Sequence, residues 1–357
     1  MSLCILCLFG LALAPRLHGE PHKAAPQDNE KLEQQTRLQI FLDQNNFGPG
    51  KIDGQDGEFT KKALEWYRAA HPDTGVSQTP QKTADTKAPS DTTGLDLSAI
   101  NPVFITYQVT KEDLANVGNL PSDHAAEAKL HSMPYRTAFE AIAEKFHSDP
   151  KFLQKLNPQI KGDALKEGDS LKVPNVKPFE VAQVKQIKPG EAIEPTETVD
   201  DATEKATPRK KGSVAARAAE ETDSISLDIR VKDKMLVVMD GQKVTAAFPV
   251  TPGSTAIPSP IGQWKIERVA KMPNFRWDEK MLMHGERSSH FHLLPPGPNN
   301  PVGVMWIALN KKGIGIHGTD DPDSIGRAAS HGCIRLANWD VVKLAKLVKP
   351  GVPVTIE

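Results

Sequence analysis

The chain has 357 residues, 38% hydrophobic and 25% charged, which is enough to bury a core and too many for one ordinary small domain. Length alone suggests about two or three domains. Its 44 basic and 45 acidic side chains leave a formal net charge of −1, so it lacks the global basic field that nucleic-acid binding favours.

Residues 1–14, MSLCILCLFGLALA, are apolar and are followed by the polar stop Pro15-Arg16-Leu17-His18-Gly19-Glu20. The run is too short to span a bilayer comfortably and suits the core of a secretory signal, expected over residues 1–19. Cys4 and Cys7 would leave with it, and Cys333 would remain as the single cysteine of an exported protein. A lone thiol in that setting flags reactivity, although a buried, inert cysteine fits the composition too.

Residues 29–72 read as a small helical unit. Leu32, Leu38, Ile40, Phe41 and Leu42 recur at near-helical spacing, and Asn45-Asn46-Phe47-Gly48-Pro49-Gly50 then breaks the helix. Ile52-Asp53-Gly54 and Asp56-Gly57 make a second turn. A second helix follows, with Phe59, Ala63, Leu64 and Tyr67 on one face. The words LQIFLDQNNFGPGKIDGQDGEFTKKALEWYRAAH resemble the peptidoglycan-binding module of short helices. Residues 73–100, rich in Pro, Thr, Ser, Lys and Asp, read as a linker.

Residues 101–176 form a second unit. Phe104 to Val109 alternates like a strand. Thr137 can cap a helix carrying Ala138, Phe139, Ile142, Ala143 and Phe146. Asp149-Pro150 starts another, with Phe152, Leu153 and Leu156. Asn157-Pro158, Gly168-Asp169 and Leu171-Lys172-Val173-Pro174 follow. This order resembles a LysM carbohydrate-binding module. It departs at the front, where roughly 25 residues separate the first strand from the first helix. Residues 177–222, with four prolines and the basic knot Arg209-Lys210-Lys211, read as a second linker that behaves as a solvated tether.

Residues 223–357 are punctuated strands: 224–231, the apolar run 234–240 ending at the hairpin signal Asp240-Gly241, then 244–250, 261–269, 304–309, 314–317 and 352–356. A helix is expected over 339–348. The fold class this predicts is multidomain: a mainly-β sandwich or barrel with one or two helices, preceded by small α-helical and α+β modules.

Chemistry-bearing residues gather in Ile314-Gly315-Ile316-His317-Gly318-Thr319 and Ser330-His331-Gly332-Cys333-Ile334-Arg335-Leu336. A thiol attacks carbonyls as thiolate, and an imidazole nearby can take its proton. Gly332 permits close backbone approach, so amides around Cys333 could face a developing oxyanion, and Arg335 offers a cation for a substrate carboxylate. Zinc on Cys333, His317 and His331 would lack the usual fourth ligand. His284, His290 and His292, with their His-x-His pair, could bind a metal or line a groove, or simply be surface or satisfied histidines.

The same residues resemble the L,D-transpeptidase catalytic domain. Pro249-Val250-Thr251, Ser259-Pro260-Ile261-Gly262, the run from Pro295 to Gly303, and Asp340 with Val341-Val342 agree. The resemblance implies Cys333 as nucleophile, His317 as general base and the Gly318 carbonyl orienting its ring. It sets Ser330, His331, Gly332 and Arg335 on the oxyanion and substrate side, with His331 a loop residue. It implies release of D-alanine from a tetrapeptide stem through a thioester, with peptidoglycan stem peptides and glycan strands as partners, no nucleic acid and no cofactor. The protein would be exported to the periplasm or cell wall and act in cell-wall organisation and cell shape. The acceptor stays open: a stem amine, water (an L,D-carboxypeptidase) or a protein amine (an anchoring enzyme). A non-catalytic wall-binding protein is the alternative of a different class. The two upstream modules would supply avidity on flexible linkers.

Overall fold

The computed structural model describes residues 26–72, 89–161, 165–186, 198–199, 225–326 and 330–357. The expected signal segment and most of the second expected linker lie outside the described residues.

Helices α1 (Pro26–Gln44) and α2 (Glu58–Ala70) form an amino-terminal hairpin. Gln39 sits at its centre, only 1% exposed. Its Oε1 accepts from the amides of Asp53 (3.1 Å) and Gly54 (2.9 Å), and its Nε2 donates to Asp53 Oδ1 (2.8 Å). A buried amide needs all of these partners, and they pin the Ile-Asp-Gly turn that joins the helices.

The next unit runs β1 (Phe104–Gln108), α3 (Lys111–Ala115), α4 (His124–Glu127), α5 (Ala138–Lys145), α6 (Pro150–Leu156), β2 (Ser170–Pro174). Strands β1 and β2 pair antiparallel, Phe104 opposite Pro174 and Gln108 opposite Ser170. The caps are those the sequence predicts: Thr137 accepts from the Glu140 amide at 3.0 Å, and Asp149 from Lys151 and Phe152 at 2.8 and 3.1 Å. The long gap between first strand and first major helix holds α3 and α4 and reaches onto the carboxy-terminal domain. There Met133 donates to Pro296 O (2.9 Å) and accepts from the Asn299 amide (3.3 Å), and the His124 ring lies 3.9 Å from that of Trp277.

After α7 (Val181–Val184) and β3 (Thr198–Val199) the chain builds β4 (Ile225–Arg230), β5 (Met235–Asp240), β6 (Lys243–Pro249), β7 (Gly262–Lys271), β8 (Asn274–Trp277), α8 (Glu279–His284), β9 (His292–Leu294), β10 (Met305–Leu309), β11 (Gly315–His317), β12 (Ile334–Arg335), α9 (Asn338–Leu347) and β13 (Pro353–Ile356). Eight strands join in one sheet in the order β12-β11-β10-β7-β13-β4-β5-β6, and β3-β8-β9 form a small second sheet. The β-rich domain is therefore as predicted, with β8, α8, β9 and β12 added to the expected elements.

The upstream modules are packed onto the β-rich domain. Strand β5 is buried on both faces. Leu236 and Val238 enter the core beneath α9, while Met235 and Val237 enter a second core shared with Phe47, Ile52, Ile142 and Phe146 of the upstream modules. Alternation along a strand sends successive side chains to opposite faces, so a continuous apolar run is what double burial requires. Strand β6, at the end of the large sheet, is covered by the helical hairpin: Gly48 N donates to Ala247 O (2.7 Å) and Ala247 N to Asn46 O (3.0 Å). That closes an edge otherwise open to strand addition. Of the two expected linkers, residues 89–100 lie against α2, with Asp56 accepting from the Ser90 amide at 2.7 Å, and residues 177–186 dock through Phe179 and Val184 into the core beneath α9. The solvated tether expected at Arg209-Lys210-Lys211 lies outside the described residues, as do residues 73–88 and 187–197 of the two linkers; the described ends of both linkers are seated on their neighbours. A few apolar anchors suffice to seat a segment whose average composition is linker-like.

Candidate active site

Strand β11 pairs parallel with the two-residue strand β12, Ile316 opposite Ile334 and His317 opposite Arg335. Period-two alternation puts Ile316 and Ile334 on one face and His317, Arg335 and the preceding Cys333 on the other. Cys333 comes alongside Gly315, whose amide donates to Sγ at 3.3 Å. Both Cys333 and His317 are fully buried.

The imidazole is held from two sides. Nδ1 lies 2.6 Å from the Gly318 carbonyl oxygen. A carbonyl can only accept, so the proton is on Nδ1 and Nε2 is the basic nitrogen. Across the sheet Trp306 pairs with His317, and the two rings stack at 5.1 Å with planes 14° apart. Gly315 makes room for that indole: a Cβ there would lie 2.6 Å from Trp306 Cε2.

The Cys333 loop is tied internally. Ser330 Oγ donates to the Cys333 carbonyl (2.6 Å) and accepts from the Gly332 amide (3.2 Å), and Gly332 takes φ +106°, a conformation that favours glycine. Ser330 O accepts from Ser254 N at 3.0 Å. His331 is half-buried in this loop, and Arg335 is half-buried one strand over from His317. Asp320, three residues beyond His317, has its carboxyl raised by burial, an effect opposed by its own backbone amide and by the Arg335 charge. The histidines 284, 290 and 292 lie apart from these residues, 284 and 290 exposed and 292 on β9.

Three supporting residues carry no role in the sequence reading. Thr251 exchanges both backbone hydrogen bonds with Arg335 (2.9 and 3.0 Å), and its hydroxyl donates to Ser324 O and accepts from Gly326 N. Trp306 is the stacking partner above. Asn338, at the start of α9, lies fully buried against Gly318. Thr251 stood within a quoted family word, and a role for it was within reach. Trp306 and Asn338 give only core-like signals in one dimension.

Residues 224–356 match the family model described as YkuD, the L,D-transpeptidase catalytic domain. "Putative L,D-transpeptidase YkuD" of Bacillus licheniformis is 30% identical over 184 residues, which span 48% of this chain and 96% of that protein. The chain belongs to the L,D-transpeptidase family. "Putative L,D-transpeptidase YkuD" of Bacillus subtilis is 52% identical over 59 residues, 16% of this chain and 36% of that protein. Among solved structures, "Structure of LD transpeptidase LdtMt1 in complex with imipenem" aligns at 20% identity and TM-score 0.31, over 38% of this chain and 59% of that one. The carboxy-terminal domain of this L,D-transpeptidase is thus its catalytic unit, and α1 to α7 are packed onto it.

Proposed function

We propose that this L,D-transpeptidase is an exported cell-wall enzyme that cross-links peptidoglycan stems through a thioester on Cys333. Nε2 of His317 takes the thiol proton as Sγ attacks the carbonyl that precedes the terminal D-alanine. The C–S bond forms, the C–N bond breaks, and the proton passes to the departing amine. The amine of a second stem then attacks the thioester, a new C–N bond replaces C–S, and the thiol is regenerated. The observation that carries this reading is the β11–β12 pairing, which sets Cys333 and His317 on one face of adjacent strands, with the Nδ1 proton committed to Gly318 O. The amides of His331 and Cys333 stabilise the oxyanion, the expected Gly332 amide being taken up by Ser330 Oγ, and Arg335 contributes a fixed positive charge.

Two features support peptidoglycan- and glycan-binding parentage for the upstream units. The helical hairpin has its Ile-Asp-Gly turn fixed by Gln39, and residues 101–176 have the strand, helix, helix, strand order with antiparallel ends. The apolar run at residues 1–14 supports export to the periplasm or wall. The test is mass spectrometry of muropeptides incubated with purified protein and with Cys333→Ala. Stem-to-stem products from the wild type alone are expected. Trimmed stems would mean water is the acceptor, and protein-linked stems a protein amine. Unchanged product formation by Cys333→Ala would remove the nucleophile assignment. A carbapenem is expected to add one covalent mass to the wild type and none to that variant.

A further inference from the structure

The orientation of His317 depends on the Gly318 carbonyl, and the support of that carbonyl leads out of the catalytic domain. The Asn338 side chain is wedged against two glycines: a Cβ at either Gly318 or Gly303 would collide with its Oδ1. Gly303 takes φ +64°, and the Val304 amide that follows it donates to the same Oδ1 at 3.1 Å. The other end of the amide donates to Glu144 Oε1 (2.9 Å) and to Pro298 O (3.2 Å). With the oxygen and the NH2 group both engaged, the amide plane cannot flip without breaking buried bonds. Glu144 belongs to α5, in the module upstream of the catalytic domain. It is 7% exposed, and the Tyr135 hydroxyl also bonds its carboxylate.

We propose that Glu144 and Asn338 are positioning residues for His317: the carboxylate holds the Asn338 amide, and the amide holds the Gly318 peptide whose carbonyl fixes the imidazole. This rests on the reading of His317 as the base. The upstream module then supplies part of the catalytic apparatus, which an independently tethered wall anchor would not. Geometry matters here because misplacing a catalytic group by about 1 Å can cost on the order of a hundredfold in rate.

The test uses the full-length protein and three variants. Glu144→Leu keeps bulk but removes the acceptor, and kcat for acylation should fall by about 10- to 100-fold while KM changes less than about twofold. Glu144→Gln keeps an oxygen that can accept from Asn338, and should restore most of that rate. Asn338→Asp is isosteric, and it covers the case in which Glu144→Leu does not fold. It sets a carboxylate against Glu144, so its rate defect should deepen as pH rises through neutrality. The decisive readout is the imidazole itself. In 15N-histidine-labelled protein, His317 should be the Nδ1–H tautomer in the wild type and Glu144→Gln, and a mixture in Glu144→Leu or Asn338→Asp. A merely structural residue would lower stability without moving tautomer or kcat. Unchanged tautomer and rate in a folded Glu144→Leu or Asn338→Asp, with His317→Gln inactive, would overturn the positioning role alone. Retained acylation by His317→Gln would instead overturn the base assignment beneath it.

Discussion

Asp340 makes the junction between the modules pH-dependent, and Asp340→Asn measures by how much. Its side chain is fully buried on α9, and neither carboxylate oxygen has a hydrogen-bond partner among the described residues. Burial pushes its pKa from 3.8 up to about 7, an effect that Lys343 opposes and Asp43 reinforces. The unfolded chain therefore holds fewer protons than the native one between those two values, and stability falls as pH rises through that window. A shift of about three units at 1.36 kcal/mol each puts the loss near 4 kcal/mol by pH 8, and about 2 if water reaches the ionised group. Asparagine cannot ionise, so that slope should disappear. Its unpaired NH2 costs about 1–3 kcal/mol, but equally at every pH. Asp43 does not interfere. Burial alone would raise its carboxyl, yet His147 and Lys343 hold it well below the usual range, so its contribution is lost only as pH falls below the window. Glu144 titrates in the same window, pushed by burial to about 7, and is common to both proteins. The assay is urea unfolding of wild type and variant at pH 5 to 8, followed by tryptophan fluorescence. From pH 5 to 8 the titration crosses about two of those three units, so the stability difference should move in the variant's favour by about 1–3 kcal/mol across that range. Parallel profiles would show that Asp340 is not a buried titrating group.

Other changes probe the same architecture. Phe47→Ala removes a fully buried ring that seats the helical hairpin on β6, and should cost about 3–5 kcal/mol and open residues 26–72 to limited proteolysis before the catalytic domain. Gly315→Ala drives a methyl into Trp306, 2.6 Å away, and should cost about 1–3 kcal/mol and slow Cys333 acylation by displacing the ring stacked on His317, read by calorimetry and by adduct formation. Removing residues 26–176 exposes Met235, Val237, Val244 and Ala247, so the isolated catalytic domain should aggregate on refolding, as light scattering would report.

The proximity of His317 and Cys333, the candidate pair, was legible because its signal is local. His317 and Cys333 stand 16 positions apart within two short words, although the two-residue strand β12 that pairs them was not among the expected elements. The strands of the large sheet fell close to their predicted limits for the same reason: period-two alternation and an Asp-Gly turn are read within a few residues. The docking of the upstream modules was not read, although one trace of it was visible. Met235-Leu236-Val237-Val238-Met239 has no polar face, and a strand without one must be covered on both sides. The Pro-rich composition of the intervening segments outweighed that trace, because composition averages over a stretch in which a few residues, Phe179 and Val184 among them, do the anchoring. The Glu144–Asn338 bond spans 194 positions, and neither residue has a distinguishing neighbour pattern. Only the folded chain puts a carboxylate of α5 beside the first turn of α9.

Docking changes what a wall-binding module can contribute. On a flexible tether it raises local concentration, and its effect depends on linker length alone. Fixed against the catalytic domain, it sets one distance and one orientation between the glycan it would grip and the stem that Cys333 would open. Affinity for glycan, were these modules to have it, would then become selectivity among stems, since only those projecting at the right offset and angle would reach the thiol. The buried carboxylates at the junction set how firmly that offset is kept. Above neutral pH, ionised Asp340 weakens the packing of α9 on the upstream modules, whereas Glu144, once ionised, accepts more strongly from Tyr135 and Asn338. Docking should therefore loosen as pH rises through neutrality while the Glu144–Asn338 bond, and with it the orientation of His317, outlasts it, so a folded protein should keep the Nδ1–H tautomer at a pH where its stability has already fallen.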